Sequence, residues 1–187
     1  MVTVKDALDE GDLRKSRSVE ALKKELGSIR TGRASTSLVD DIMVDYYGTP
    51  TKLNQLASVA VPEARLLVVQ PWDRGVLPEM EKAILKNSAG LTPISDGNTI
   101  RLALPPLTED RRKELVRVVR KKVEDGRVEV RNIRRDILEQ IRGMEKNKDI
   151  SQDESKRAQE SLQKITNQYV SQMDVLGTEK EKEVMEV

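Results

Sequence analysis

Between residues 111 and 142 the sequence sets twelve Lys or Arg against six acids, a local net charge of +6 in a chain whose total is +1. Stepped at 100° per residue along a helix, Arg117, Arg120, Arg127, Arg131, Arg135 and Arg142 fall on one arc, within about 40° either side of Arg131. Arg134 sits just off that arc, toward an apolar seam about a quarter turn away. Guanidinium makes planar, bidentate contacts to phosphate, whereas an ammonium is a point charge, so a stripe made of Arg suits a nucleic-acid backbone. Contacts of this kind read shape and weaken with salt. No aromatic lies among these arginines. That disfavours a base-stacking platform for single strands and favours a structured RNA. Residues 143–187 are net acidic. The same stripe therefore also fits a solvated face whose arginines pair with acids on a neighbouring helix, and pattern alone leaves both open.

The residue types that are missing bound the chemistry. The chain has no Cys and no His, so it lacks a thiol nucleophile, a disulfide, the commonest general base and the usual transition-metal ligands. The reading is of a protein that is not an enzyme and needs no metal or other cofactor. Gly27-Ser28-Ile29-Arg30-Thr31-Gly32-Arg33-Ala34 approaches a phosphate-binding loop, but Arg stands where that loop needs Lys and Ala where Mg²⁺ needs a hydroxyl. Asp40 and Asp41 are adjacent on an expected strand, so they would point to opposite faces and not converge. Residues 1–10 have no apolar signal-peptide core, and no apolar run approaches the ~20 residues needed to span a bilayer. A soluble, cytoplasmic chain with no membrane partner is expected.

Three segments must position the stripe. Over residues 1–30, Val19, Leu22, Leu26 and Ile29 lie on one helical stripe. Gly11 makes the front half less regular, and Thr31-Gly32 is expected to end the helix. Residues 31–105 hold six of the seven Pro and five of the ten Gly. There the 38–47 run alternates with a period near two, a Gly48-Thr49-Pro50 turn follows, and Ala57–Val61, 65–70 and 99–104 read as short strands. Pro78 to Lys86 reads as a short helix, and Tyr46, Tyr47 and Trp72 are expected in the core of this segment. From 106 onward the pattern is helical again. Thr108 is placed to cap the next helix, and Val116, Val119, Val123, Gly126, Val130, Ile133, Ile137, Ile141 and Met144 form its seam. After a break at 146–150, Ser151 and Glu154 form a capping box, and Ala158, Leu162, Ile165, Tyr169, Met173 and Leu176 form a last seam. The fold expected is α+β: a long three-helix bundle from 1–30 and 106–187, with a small β/α/β domain, 31–105, inserted between its first and second helices. Two short connections join the parts, and linker composition fits a hinge and a fixed angle equally.

Ile29-Arg30-Thr31-Gly32-Arg33-Ala34-Ser35, Tyr46-Tyr47-Gly48-Thr49-Pro50, Gln55-Leu56-Ala57-Ser58, Leu104-Pro105-Pro106-Leu107-Thr108-Glu109 and Val130-Arg131-Asn132-Ile133-Arg134-Arg135-Asp136 occur in this order. Together they resemble the bacterial ribosome recycling factor family along essentially the whole chain. The resemblance implies a tRNA-like L of three-helix bundle and small domain. It implies a hinge at Thr31, Gly32, Arg33, Ala34 and Ser35 and at Leu104, Pro105 and Pro106. It implies contacts to large-subunit ribosomal RNA chiefly through the arginines matching Arg131 and Arg134, with Arg30 also implicated near the bundle tip. The stripe adds Arg127 and Arg135 as candidate contacts. The implied function is to bind the ribosome after termination and, with elongation factor G and GTP, to split the subunits and release mRNA and tRNA. A monomer is expected. A reading of another class is a helical adaptor that binds protein through its seams, its Arg face merely solvated.

Overall fold

The computed structural model describes residues 2–87 and 91–186. These form two compact units, one running up to Ile29 and resuming over Asp110–Glu186, the other Arg30–Glu109. No described helix is long and apolar enough to cross a membrane.

The first unit is a bundle of α1 (Val4–Gly27), α3 (Glu109–Lys146) and α4 (Gln152–Glu186). At 1.5 Å per residue, α3 and α4 run about 57 and 52 Å. Thr3 opens α1 with a capping box closed by Asp6. The front half of α1 is as regular as the rest, against the expectation from Gly11. It buries small residues, Ala7, Gly11 and Ser18, and a Cβ on Gly11 would stand 2.8 Å from Ile137 Cγ1. Here the backbone itself is packed against α3, so apolar bulk is not required. The helix stops at Gly27, with Ser28 as its C-cap, several residues before Gly32. The Ser28 N–H and the Ile29 N–H already take the last carbonyls, those of Lys24 and Leu26.

The α3 seam buries Leu115, Val119, Val123, Val130, Ile133, Ile137 and Ile141. Leu115 takes the first buried place, and Val116 is only half-buried. α4 returns antiparallel to α3: Met173 lies against Gly126, and Gly177 against Val123. Lys148 takes a left-handed φ of 64° in the connection. Ser151 then caps α4 as expected: its hydroxyl accepts from the Glu154 N–H at 3.2 Å, and Glu154 accepts from the Ser151 N–H at 2.8 Å.

The second unit pairs a hairpin with a four-stranded antiparallel sheet and one helix. β1 (Met43–Tyr46) pairs with β2 (Thr49–Lys52), and β3 (Ala57–Glu63), β4 (Leu66–Pro71), β6 (Ile100–Ala103) and β5 (Thr92–Ser95) lie side by side in that order. α2 spans Leu77–Asn87. Val44, Leu67, Val69, Met80, Ile84, Ile100 and Leu102 share its core. The alternating 38–47 run is a strand only from Met43 onward. The Ser35 hydroxyl accepts from the Ser37 N–H, and the Thr36 carbonyl accepts from the Val39 and Asp40 N–H groups, winding 36–38 into a short 3-10 turn. The Thr36 carbonyl thus takes the backbone donors that a strand at 39–40 would have offered to a sheet partner. Asp40 and Asp41 fall in the following turn and not on a strand, and Asp41 accepts from Lys52 Nζ at 2.7 Å. The hairpin turn is Tyr47-Gly48, both at positive φ (50° and 89°), so Thr49 and Pro50 are strand residues. Trp72 and Tyr47 are 69% and 73% exposed and do not fill the core as expected. Leu, Ile, Val and Met occupy it, and the Tyr47 hydroxyl donates to Asp73 instead, at 2.8 Å.

Lys15 on α1 is 0% exposed, and its Nζ has no hydrogen-bond partner among the described residues. Burial holds the ammonium below the ordinary lysine range; Asp12 opposes this, while Arg134 and Arg14 add to it. The folded chain therefore binds this proton less readily than the unfolded chain. Stability should rise as the pH climbs from the depressed folded value toward the ordinary 10.5. Lys15→Met should raise the unfolding free energy at neutral pH by about 1–3 kcal/mol. In paired denaturation curves the gap over the parent should narrow toward pH 10.5. A pH-independent gap would exclude the buried charge as its cause.

Candidate nucleic-acid interface

The antiparallel register of α3 and α4 decides what each arginine meets. Arg120 donates from Nε and Nη2 to the two carboxylate oxygens of Glu181, both at 3.0 Å. One heptad on, Arg127 donates from Nε to Asp174 at 2.7 Å, again from Nη2 to Asp174, and from Nη1 to Glu124 at 3.0 Å. All three Arg127 nitrogens are therefore engaged by carboxylates. Arg131 donates through one terminal nitrogen to Glu124 and is half exposed. Hydrogen bonds from Arg127 and then Arg131 pull the Glu124 carboxyl below its ordinary range. The stability it adds is present above 4.5 and lost as the pH falls through the lower folded value. Pairing with an acidic neighbour thus holds for Arg120 and Arg127, which bridge to α4.

Farther along α3 the pattern changes. Arg134, half-buried, donates from Nε to Gln163 Oε1 at 2.7 Å. Gln163 Nε2 in turn donates to Asn167 Oδ1 at 2.8 Å. Because guanidinium only donates, the Gln163 carbonyl must be the atom that faces it. Arg117, Arg135 and Arg142 make no ion pair among the described residues. Arg127, Arg131, Arg134 and Arg135 line a groove of about 390 Å³ whose other wall is Gln163, Thr166, Asn167 and Val170 of α4. It continues into a second recess of about 320 Å³ between Arg134 and Arg142 on one side and Lys156 and Gln159 on the other. An open, elongated groove edged by guanidinium groups suits contacts to a phosphodiester backbone better than an enclosed small-molecule pocket does.

The sequence reading placed Arg127, Arg131 and Arg135 on one helical arc with Arg134 just off it toward the seam, and all four line one groove. Arg30 stands on the connection that follows Ser28 and is counted in the second unit. In that unit, Gly32 has φ +75° and Leu107 Cγ lies 3.0 Å from where its Cβ would be. Thr31 and Ala34 are buried. The Ala34 N–H donates to the Ala64 carbonyl at 2.7 Å, and the Leu104 N–H to the Arg65 carbonyl at 2.8 Å. The backbone at Ala34 and Leu104 is thus tied to the β3–β4 turn, while among the described residues no such backbone bond involves Arg33, Pro105 or Pro106. Sequence reasoning missed Gln163, Asn167 and Lys156. Their signal is the run Glu181, Asp174, Asn167, spaced by seven on α4 opposite Arg120, Arg127, Arg134, spaced by seven on α3. It becomes readable only with the register in hand.

Residues 22–185 match the family model described as ribosome recycling factor. The ribosome-recycling factor of Oleidesulfovibrio alaskensis is 57% identical over 95% of this chain and 97% of its own length. That of Pelotomaculum thermopropionicum is 53% identical over 97% and 98%. A solution structure of the ribosome recycling factor aligns with a TM-score of 0.76 at 45% identity, over 100% of both chains. Models of the T. thermophilus ribosome recycling factor and the E. coli elongation factor G bound to the E. coli post-termination complex include a chain with TM-score 0.64 and 43% identity, over 98% of this chain and 99% of that one.

The different partners of these arginines separate fold from surface. Arg127→Ala should lower bundle stability by ~0.5–1 kcal/mol, the scale of exposed ion pairs that share one guanidinium. Arg135→Ala should leave the thermal midpoint within about a degree. Equal losses in the two melting curves would contradict this division.

Proposed function

The chain belongs to the ribosome recycling factor family, and from that premise we propose that it binds the post-termination ribosome and, with elongation factor G and GTP, splits the subunits to release mRNA and tRNA. The observation that carries this reading is the groove in which Arg134 and Arg135 have no carboxylate partner among the described residues, with Arg131 beside them engaging Glu124 through one nitrogen only. Arg131 and Arg134 hold phosphates of large-subunit ribosomal RNA, Arg135 extends the contact, and Arg30 adds to it from the connection after α1. Arg127 contributes by shaping the wall of the groove more than by direct contact, since carboxylates occupy its nitrogens and offset its charge.

The chain performs no chemistry itself. A sequence without His or Cys fits a binding factor whose energy comes from GTP hydrolysed by elongation factor G. Bending takes place at residues 31–35 and 104–106. The Pro105-Pro106 pair cannot continue a helix or supply backbone donors, and Gly32 tolerates a left-handed conformation that side chains resist. The α3 groove anchors the factor on RNA while the second unit moves.

In a splitting assay with post-termination complexes, elongation factor G and GTP, the chain should convert 70S ribosomes to subunits. Persistence of intact ribosomes would overturn the proposal. Arg131→Ala and Arg134→Ala should each weaken ribosome binding roughly tenfold and lower the slope of log affinity against log salt by about one, with the fold retained. A flat salt response of the parent chain would favour the protein-binding adaptor.

A further inference from the structure

Three arginines recur at heptad spacing on α3 opposite three α4 residues at the same spacing: Arg120 with Glu181, Arg127 with Asp174, and Arg134 with Asn167. The first two rungs are carboxylates bonded to the guanidinium. The third is an amide pair, Gln163 bonded to Arg134 and Asn167 bonded to Gln163. The difference is one of charge, because an amide oxygen accepts from guanidinium much as a carboxylate oxygen does but neutralises none of its charge.

We infer that Gln163 is a positioning residue for RNA binding: it holds Arg134 in the groove through Nε while leaving the full positive charge and both terminal nitrogens for a phosphate. Neither terminal nitrogen of Arg134 has a protein partner among the described residues, whereas Arg127 spends all three nitrogens on Asp174 and Glu124. Anchoring one donor fixes the plane of the guanidinium, so less side-chain entropy is lost when a phosphate arrives. Asn167 completes the device by taking the Gln163 N–H, which fixes the amide orientation with its oxygen toward Arg134. α4 thus offers Arg134 an amide and not an acid at this rung. Beyond it, Lys156, Gln159 and Glu160 line the recess that Arg134 and Arg142 share.

This inference rests on Arg134 as an RNA contact, so the experiment includes variants that test the two separately. Full-length parent, Gln163→Glu, Gln163→Met, Arg134→Ala and Arg131→Ala chains are titrated against large ribosomal subunits over a salt series, with thermal melts of each. Gln163→Glu turns the rung into an ion pair. It should bind roughly tenfold more weakly, with a salt slope lower by about one and a midpoint no lower than the parent's. Gln163→Met keeps the volume and adds no charge but loses the acceptor that anchors Arg134, so it should keep the parent's slope and bind about threefold more weakly. Parent-like binding by Gln163→Glu alongside weakened Arg134→Ala would overturn the inference and leave the proposed function standing. A Gln163→Met chain that binds as tightly as the parent would overturn it too, because the anchor on Nε would then contribute nothing. Parent-like binding by both arginine variants would remove Arg134 and Arg131 as RNA contacts, and the inference with them.

Discussion

The close approach of α3 to α4 is the constraint from which the functional surface follows. A Cβ on Gly177 would stand 2.7 Å from Val123 Cγ2, and one on Gly126 would stand 3.1 Å from Met173 Sδ. These two contacts admit only glycine without local shifts, and they pin one antiparallel register over two long helices. A slip by one turn would drive side chains into both glycine positions and would move each arginine off its partner on α4. Hydrophobic packing inside the bundle therefore dictates the pattern of charge on its surface.

Within that register the arginine face divides into two regions. Toward the α3 N-terminus, Arg120 and Arg127 reach across to carboxylates and act as clamps on the outside of the bundle. Exposed ion pairs of this kind add little to stability one at a time, but they remove cations from competition for RNA. Toward the α3 C-terminus, α4 presents Gln163, Asn167, Gln159 and Lys156 along with Glu160, and Arg134, Arg135 and Arg142 make no ion pair among the described residues. Lys15 lies buried and without a hydrogen-bond partner in the same bundle. Burial disfavours its charge, and the nearby positive charge of Arg134 adds to that cost.

The second unit follows different rules. Its core is built from Leu, Ile, Val and Met on a four-stranded sheet and α2, with its aromatic residues left outside. Short polar segments decide its irregular parts. Hydroxyls at 35–37 wind a turn where alternation suggested a strand, and Asp73 receives the Tyr47 hydroxyl at the end of the hairpin. The two connections are tied to the β3–β4 turn by backbone bonds, from the Ala34 N–H to the Ala64 carbonyl and from the Leu104 N–H to the Arg65 carbonyl.

Much of this protein was legible in its residues. Seams of 3-4 spacing located the helices, because burial of one face imposes the helical period on any sequence. The Ser151–Glu154 box marked the start of α4, because capping is local chemistry that needs no distant partner. The resemblance of the arginine motif and the two connections to one family carried the function. Other features depended on residues far apart in the chain. Gly11 weakens an isolated helix but fits against Ile137, and only the packed bundle supplies Ile137. The 38–47 alternation satisfied a strand rule, yet hydroxyls within hydrogen-bonding reach of the backbone won locally. Sequence by itself determined that α3 carries a continuous arginine stripe, since helical geometry alone sets which side chains share a face. Only the tertiary structure decided which of those arginines keep their charge, because neutralisation depends on what α4 presents at each rung, and steric packing at Gly126 and Gly177 sets that register.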